Sequence, residues 1–209
     1  VLAGGAGASA MRFREEPRGD VDLGKDNLQL LRRAPKVGKA VRSVPKAVFS
    51  EEPVRKFAGK GQWFELRVEE FLGGESCLLA IGFTGTDPAS LAENGTLPAR
   101  AHAIPKTFLA GYSHSAFWDG ERSEAAVFKD LKPFKIFTAG VLATPSGSLE
   151  VYVNRKMVLN FDPTVRGLPP IDTEQPLWAV VDACGGLKKA TLLTESLPPE
   201  EHEDEAVAA

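Results

Sequence analysis

The hydrophobic positions of this chain recur mostly with a period of two. From Trp63 to Phe71 the order is Trp-Phe-Glu-Leu-Arg-Val-Glu-Glu-Phe, which puts Phe64, Leu66 and Val68 on one face and Glu65, Arg67 and Glu69 on the other. Side chains of an extended strand alternate between faces, so this is the pattern of a half-buried antiparallel strand. Leu149 to Val153 alternates in the same way, with Glu150 and Tyr152 facing away from the apolar set. Lys156 to Phe161 follows after only Asn154-Arg155. That spacing predicts a β-hairpin. A two-residue type I′ turn is compatible with it, although Asn accepts a positive φ more readily than Arg. Two other runs are apolar throughout. Leu177 to Val181 fits a central strand covered on both faces. Leu78 to Ile81 predicts a buried strand that breaks at Gly82-Phe83-Thr84 and enters a turn at Thr86-Asp87-Pro88, because Asp-Pro initiates turns. A last short strand is expected over Ala190–Leu193, after the Gly185-Gly186 turn.

Helical signals are weak. One helical turn is expected after Asp87, with Asp87 as N-cap and Pro88 in the first position. Fifteen prolines and twenty glycines interrupt the chain at short intervals, as turns between many strands require. The predicted fold class is therefore all-β, an antiparallel two-sheet β-sandwich of roughly ten or more strands. Phe49, Gly82, Phe83, Trp178 and Val180 are assigned to its core. Truncating Phe83 or Trp178 to Ala is expected to cost about 3–5 kcal/mol.

No linker separates the strand-like segments between Val41 and Leu193, so the 209 residues are read as one large domain. The expected division is a flexible Ala/Gly-rich segment over 1–12, the sandwich over 13–197 and an acidic tail over 198–209. That tail carries Glu200-Glu-His-Glu-Asp-Glu205. No Met opens the chain and Met11 comes late, which reads as a processed product or a piece of something longer.

Composition narrows the function. Apolar residues make up 43% and charged residues 25%, the range of a soluble globular domain. The net charge of −3 leaves no basic footprint for nucleic acid. The longest apolar runs fall far short of the ~20 residues a membrane-spanning helix needs. Cys77 and Cys184 lie in apolar, strand-like surroundings and read as buried thiols, with their pairing left open. So few cysteines, with no visible signal peptide, favour an intracellular over a secreted location.

The chain lacks the residue sets that chemistry needs. His102, His114 and His202 have no partner at i, i+4, and no HExxH or CxxC accompanies them. Ser113 and Ser115 flank His114 without a Gly-x-Ser-x-Gly elbow, and no Gly-rich phosphate loop follows a strand. The expectation is no catalytic residue, no metal and no cofactor. Asn94-Gly95-Thr96 matches the glycosylation sequon, but so short a motif is expected by chance. Asp182 ends its strand and is expected to hydrogen-bond the Gly185-Gly186 turn. Arg42, if buried, would need Asp182 or Asp87 as its carboxylate.

Recognition is better supported than catalysis. The Gly-bounded segment Gly111–Gly120 gathers Tyr112, His114, Phe117 and Trp118. Tyr and Trp anchor interfaces by pairing a large apolar area with a polar handle. Tyr112 and His114 alternate and are amphipathic, so they are the surface candidates. Phe117 and Trp118 suit a core plug at least as well as an anchor. Arg155 and the Asp87-Pro88 turn complete the candidate partner-binding set.

Several of these stretches also form an ordered series. Phe49-Ser50 and Pro53 come first, then Gly82-Phe83-Thr84, Asp87-Pro88 and Leu91, then Leu97-Pro98. Val151-Tyr-Val-Asn154 and Leu177-Trp-Ala-Val-Val-Asp182 close it. In this order and spacing they resemble the neuralized homology repeat (NHR), a relative of the SPRY β-sandwiches, and the resemblance runs from about Phe13 to Leu193. There are departures. Arg155 stands where the family's hairpin has Gly, the strand over 137–142 keeps only Gly140 and the apolar positions of "GDVVGV", and Arg100–Leu131 has no counterpart. No RING cysteine/histidine set is present, so ligase activity is not implied. The resemblance implies an NHR/SPRY-like, concanavalin-like jelly-roll sandwich. It implies a non-catalytic protein–protein interaction module that grips another protein or peptide segment through loops at one end. Two other readings stay open: a structural subunit embedded in a large multiprotein assembly, and a carbohydrate-binding lectin-like domain with Trp118 and Tyr112 as stacking platforms.

Overall fold

The alternation over Trp63–Phe71 becomes the spine of the larger of two antiparallel sheets. The computed structural model describes residues 10–15, 21–32, 46–71, 79–93, 97–112, 115–125, 127–128, 136–183 and 186–200. Among them the larger sheet runs β1 (Val21–Gly24), β2 (Gln29–Arg32), β14 (Leu187–Leu192), β5 (Gly61–Phe71), β10 (Phe137–Ala143), β11 (Leu149–Val153) and β12 (Lys156–Phe161). The short β4 (Lys56–Phe57) pairs the start of β5. The smaller sheet runs β3 (Ala47–Phe49), β13 (Trp178–Asp182), β6 (Ala80–Thr84), β7 (Thr107–Gly111), β8 (Ser115–Trp118) and β9 (Glu121–Glu124). The predicted β-sandwich is the observed architecture.

The inner faces meet in one main core. Phe64, Leu66 and Val68 from β5 join Ile81, Phe83, Trp118 and Val181 from the smaller sheet. Phe64 and Phe83 pack edge to face with ring centroids 5.3 Å apart, the arrangement their quadrupoles favour. The outer face of the smaller sheet is covered as well: Phe49, Leu109, Tyr112, Phe117 and Val180 form a second apolar cluster with Ile104.

Two sequence expectations are corrected in this region. The strand before the Asp-Pro turn does not break at Gly82-Phe83-Thr84, because β6 continues through all three residues to Thr84. Gly82 lies opposite Leu109 on β7 and Val180 on β13. A Cβ placed there would sit 2.0 Å from the carbonyl oxygen of Phe108. The glycine thus permits a close backbone approach and does not mark an end. Trp178, assigned to the core, is half-buried at the exposed start of β13. It shares the register parity of Val180, whereas Ala179 and Val181 point into the main core. The apolar run is therefore buried at Leu177 and from Ala179 onward, with Trp178 only partly covered.

Local turn chemistry follows the sequence closely. Asn154 and Arg155 take φ values of 49° and 67°, so both central positions of the β11–β12 hairpin are left-handed, as a type I′ turn requires. The Asp87 carboxylate accepts the Ala89 N–H at 2.8 Å and caps α1 (Pro88–Glu93).

Candidate functional site

The residues singled out for partner binding do not converge. Tyr112 is buried at 6% exposure, and its hydroxyl donates to Asp182 at 2.5 Å. Trp118 is 1% exposed in the main core, its indole N–H donating to the Pro169 carbonyl at 2.7 Å. Tyr112 is not the surface anchor expected of it, and Trp118 takes the core-plug reading instead of that of an anchor or stacking platform; each spends its polar handle inside the fold. Pro88 is buried and Asp87 exposed at the start of α1. His114, Arg42, Cys77, Cys184 and the sequon at 94–96 lie outside the described residues. Of the named candidates, Arg155 stands exposed beside a groove.

Asp182 also departs from expectation. Its hydrogen bonds among the described residues do not go to the following turn, whose Gly185 lies outside them. Fully buried, Asp182 accepts the Ala101 N–H at 2.9 Å and the Tyr112 hydroxyl through Oδ2, and so fastens the 101–104 segment onto the outer face of the smaller sheet. Burial raises its carboxyl pKa above the ordinary value, while the Tyr112 and Ala101 bonds and the nearby Arg100 and Lys46 pull the other way. His102 lies above it, stacked on Phe117 at 4.3 Å between ring centroids. Its pKa is lowered by burial and by Arg100. Among the described residues no group of three or more His, Cys, Asp or Glu side chains could hold a metal ion.

The outer face of the larger sheet is built differently. β5 turns Trp63 and Glu65 away from the core, β10 contributes Gly140 opposite Glu65, and β11 contributes Tyr152 opposite Gly140. A Cβ on Gly140 would come within 2.1 Å of the Trp63 ring, so the bare glycine is what lets the indole lie flat on the sheet. Tyr152 meets the indole edge-on, ring centroids 5.5 Å apart. Burial and the adjacent Glu150 together hold the Tyr152 phenol far above its usual titration range.

Across this face runs the segment after β14, residues 193–199, here called the strap. Its Ser196 hydroxyl accepts the Trp63 indole N–H at 2.9 Å and donates to the Glu65 carboxylate. Arg155 closes the cluster. It pairs with Glu65 at 3.2 Å, reaches Ser196 at 3.4 Å, donates to the Leu197 carbonyl at 2.6 Å and sits 5.6 Å above the Trp63 ring. An open groove lined by Thr138, Arg155, Glu65 and the strap lies on one side. On the other, Trp63, Phe57, Arg55 and Met11 line a cavity of about 360 Å³ under the strap. Leu197, which lines the groove, is 59% exposed, and Met157 and Ile136, each two positions from a lining residue in sequence, are exposed at 49% and 57%.

Sequence reasoning named Arg155 but missed Trp63, Glu65 and Ser196. A signal for the first was present, since Trp63 has the strand parity of the charged residues and not of Phe64, Leu66 and Val68. No comparable signal marks Ser196, which meets Glu65 only through the fold.

Set against known proteins, this arrangement has a clear place. The family model described as Neuralized matches residues 38–194. The chain belongs to the Neuralized family. No curated protein matches it in sequence. Among solved structures it is similar to the crystal structure of the Drosophila melanogaster neuralized NHR1 domain, with TM-score 0.62 and 19% identity, covering 88% of this chain and 98% of that one. The solution structure of the NHR domain in Neuralized from the same fly gives TM-score 0.62 at 17% identity, covering 92% and 96%. The TRIM65 PSpry domain follows with TM-score 0.50 at 16% identity, covering 88% and 89%. At these identities the likeness is one of fold, the NHR/SPRY β-sandwich. The Neuralized signature residues Gly82 and Phe83 sit in β6, and the "LWAVVD" stretch forms β13.

Proposed function

We propose that this chain is a non-catalytic protein-interaction module that binds a segment of another protein in the groove beside Arg155. Neuralized and SPRY domains are protein-interaction modules, which supports the class of function. The choice of surface rests on one observation. Arg155 is a cation held in place by a buried carboxylate and an indole, at an open groove that it shares with the exposed Leu197. Arginine fixed beside an exposed apolar side chain is the composition of an interface hot spot, because its guanidinium is already ordered and little entropy is lost on binding. Tyr112 and Trp118 are buried and offer a partner no such exposed contact.

The test is affinity capture from the native source with cross-linking, comparing the wild-type chain with Arg155→Glu. Cross-links are expected at 136–138, 155–157 and 193–197, and the charge reversal should reduce capture at least tenfold while the melting transition persists. Undiminished capture, or cross-links confined to the outer face of the smaller sheet, would overturn the assignment.

A further inference from the structure

The strap occupies its site as a ligand would. Ser196 uses its full hydrogen-bonding capacity there, one donor and two acceptors, on the Glu65 carboxylate, the Trp63 indole N–H and the Arg155 guanidinium. Glu65 is 3% exposed, and a buried carboxylate must keep its donors or lose its charge. Whatever lies on this face has to bring a hydroxyl or an equivalent donor to it. The next residue presents its carbonyl to Arg155 and turns its apolar side chain outward.

The strap itself is loosely joined to the sheet. Its last ladder contact is the Leu193 N–H on the Glu65 carbonyl at 2.9 Å. Beyond that point, among the described residues, side chains hold its backbone to the rest of the fold: Arg155 on the Leu197 carbonyl, and Lys60 on the Pro199 carbonyl at 3.2 Å. Space flanks it on both sides, the cavity beneath Trp63 and Phe57 and the open groove by Thr138. A segment seated in a polar cradle without strand pairing, flanked by open space and with Pro198 as its buried residue beyond β14, is one that a better-fitting segment can displace.

We infer that the strap is an intramolecular stand-in for the partner, and that the partner supplies an extended segment with a Ser or Thr hydroxyl followed by an apolar residue. This rests on the groove reading given above and adds its chemistry and its regulation. The partner's hydroxyl takes the Ser196 position on Glu65, Trp63 and Arg155. Its apolar residue enters the cavity beside Trp63 and Phe57, which Leu197 leaves unfilled. A strap closed nine-tenths of the time lowers the partner's apparent affinity about tenfold, since only the open fraction binds.

The test uses the full chain, its Ser196→Glu variant and a labelled peptide with the sequence of residues 193–199, Leu-Thr-Glu-Ser-Leu-Pro-Pro. In the variant a second carboxylate faces Glu65, and like charges at that spacing expel the strap. The peptide should bind the variant at least tenfold more tightly than wild type, and a peptide with Ala for its Ser should lose at least tenfold. Equal affinity for both chains, or no binding to a variant that still melts cooperatively, overturns the inference. Hydrogen exchange gives a second readout: amides of 194–197 should exchange at least a hundredfold faster than those of β14, and equal protection also overturns it. If the peptide fails while Arg155→Glu still abolishes capture, the strap inference falls and the groove reading stands. If capture ignores Arg155, the groove reading itself falls.

Discussion

Each sheet carries a carboxylate on the face turned away from the core, and the two faces handle it in opposite ways. On the smaller sheet Asp182 is sealed beneath the 101–104 segment, its Oδ2 bound by a backbone N–H and a phenol that are fixed by the fold and its Oδ1 left without a hydrogen bond among the described residues. On the larger sheet Glu65 is just as buried, but its partners are the tips of an exposed arginine and a strap serine. The first carboxylate fastens a covering segment permanently. The second lies under a cover flanked by open space, the cover we infer a partner displaces. Burial of a charge alone therefore does not distinguish structure from recognition here. The kind of partner does: a backbone N–H and a buried phenol on one face, an exposed arginine and a serine on the other.

Asp182→Ala should break this contrast most severely. It strands the Ala101 N–H and the Tyr112 hydroxyl in an apolar cluster, and removing one member of a buried polar set costs about 3–5 kcal/mol. Urea melts would show it, and a loss below about 1 kcal/mol would mean that the smaller sheet's cover is as loose as the strap. Gly140→Ala probes the opposite face. The new methyl must push the Trp63 indole aside, at a cost of about 1–3 kcal/mol. The strap's bond to that indole should suffer with it, visible as a change in tryptophan emission.

A subtler separation comes from pH. Burial raises the Asp182 pKa, so the folded chain holds that proton more tightly than the unfolded one. This contribution to stability is fully present below the ordinary carboxylate value near 3.9 and is lost as pH rises through the raised pKa. The stability of wild type relative to Asp182→Asn should therefore improve as pH falls from neutral toward that range. A difference that stays constant with pH would show that Arg100 and Lys46 cancel the cost of burial. The smallest effect is expected at the pair of Lys188 and Glu70, 3.0 Å apart with side chains 40% and 57% exposed. Lys188→Ala should change stability by no more than about 0.5 kcal/mol, because solvent screens such pairs.

How much was legible beforehand depends on the range of the interaction. Phe64, Leu66 and Val68 were placed on the core face by local alternation, and that is where they lie. The Asn154-Arg155 turn and the Asp87 cap also depend on neighbours a few residues away, and both were readable. Tyr112 was misread as a surface residue because its partner Asp182 is seventy positions along the chain. Trp178 was misread because an apolar run cannot show where its outer cover stops.

Strand period, turn chemistry and the Neuralized signature were thus settled by the chain's own order of residues, since each arises from contacts within a few positions or from a linear motif. The pairing of Ser196 with Glu65, of Asp182 with Tyr112, and the space Gly140 leaves for Trp63 were decided only when the sheets assembled. These contacts join residues that are tens of positions apart, and nothing in a local pattern encodes which distant partner will satisfy a buried charge.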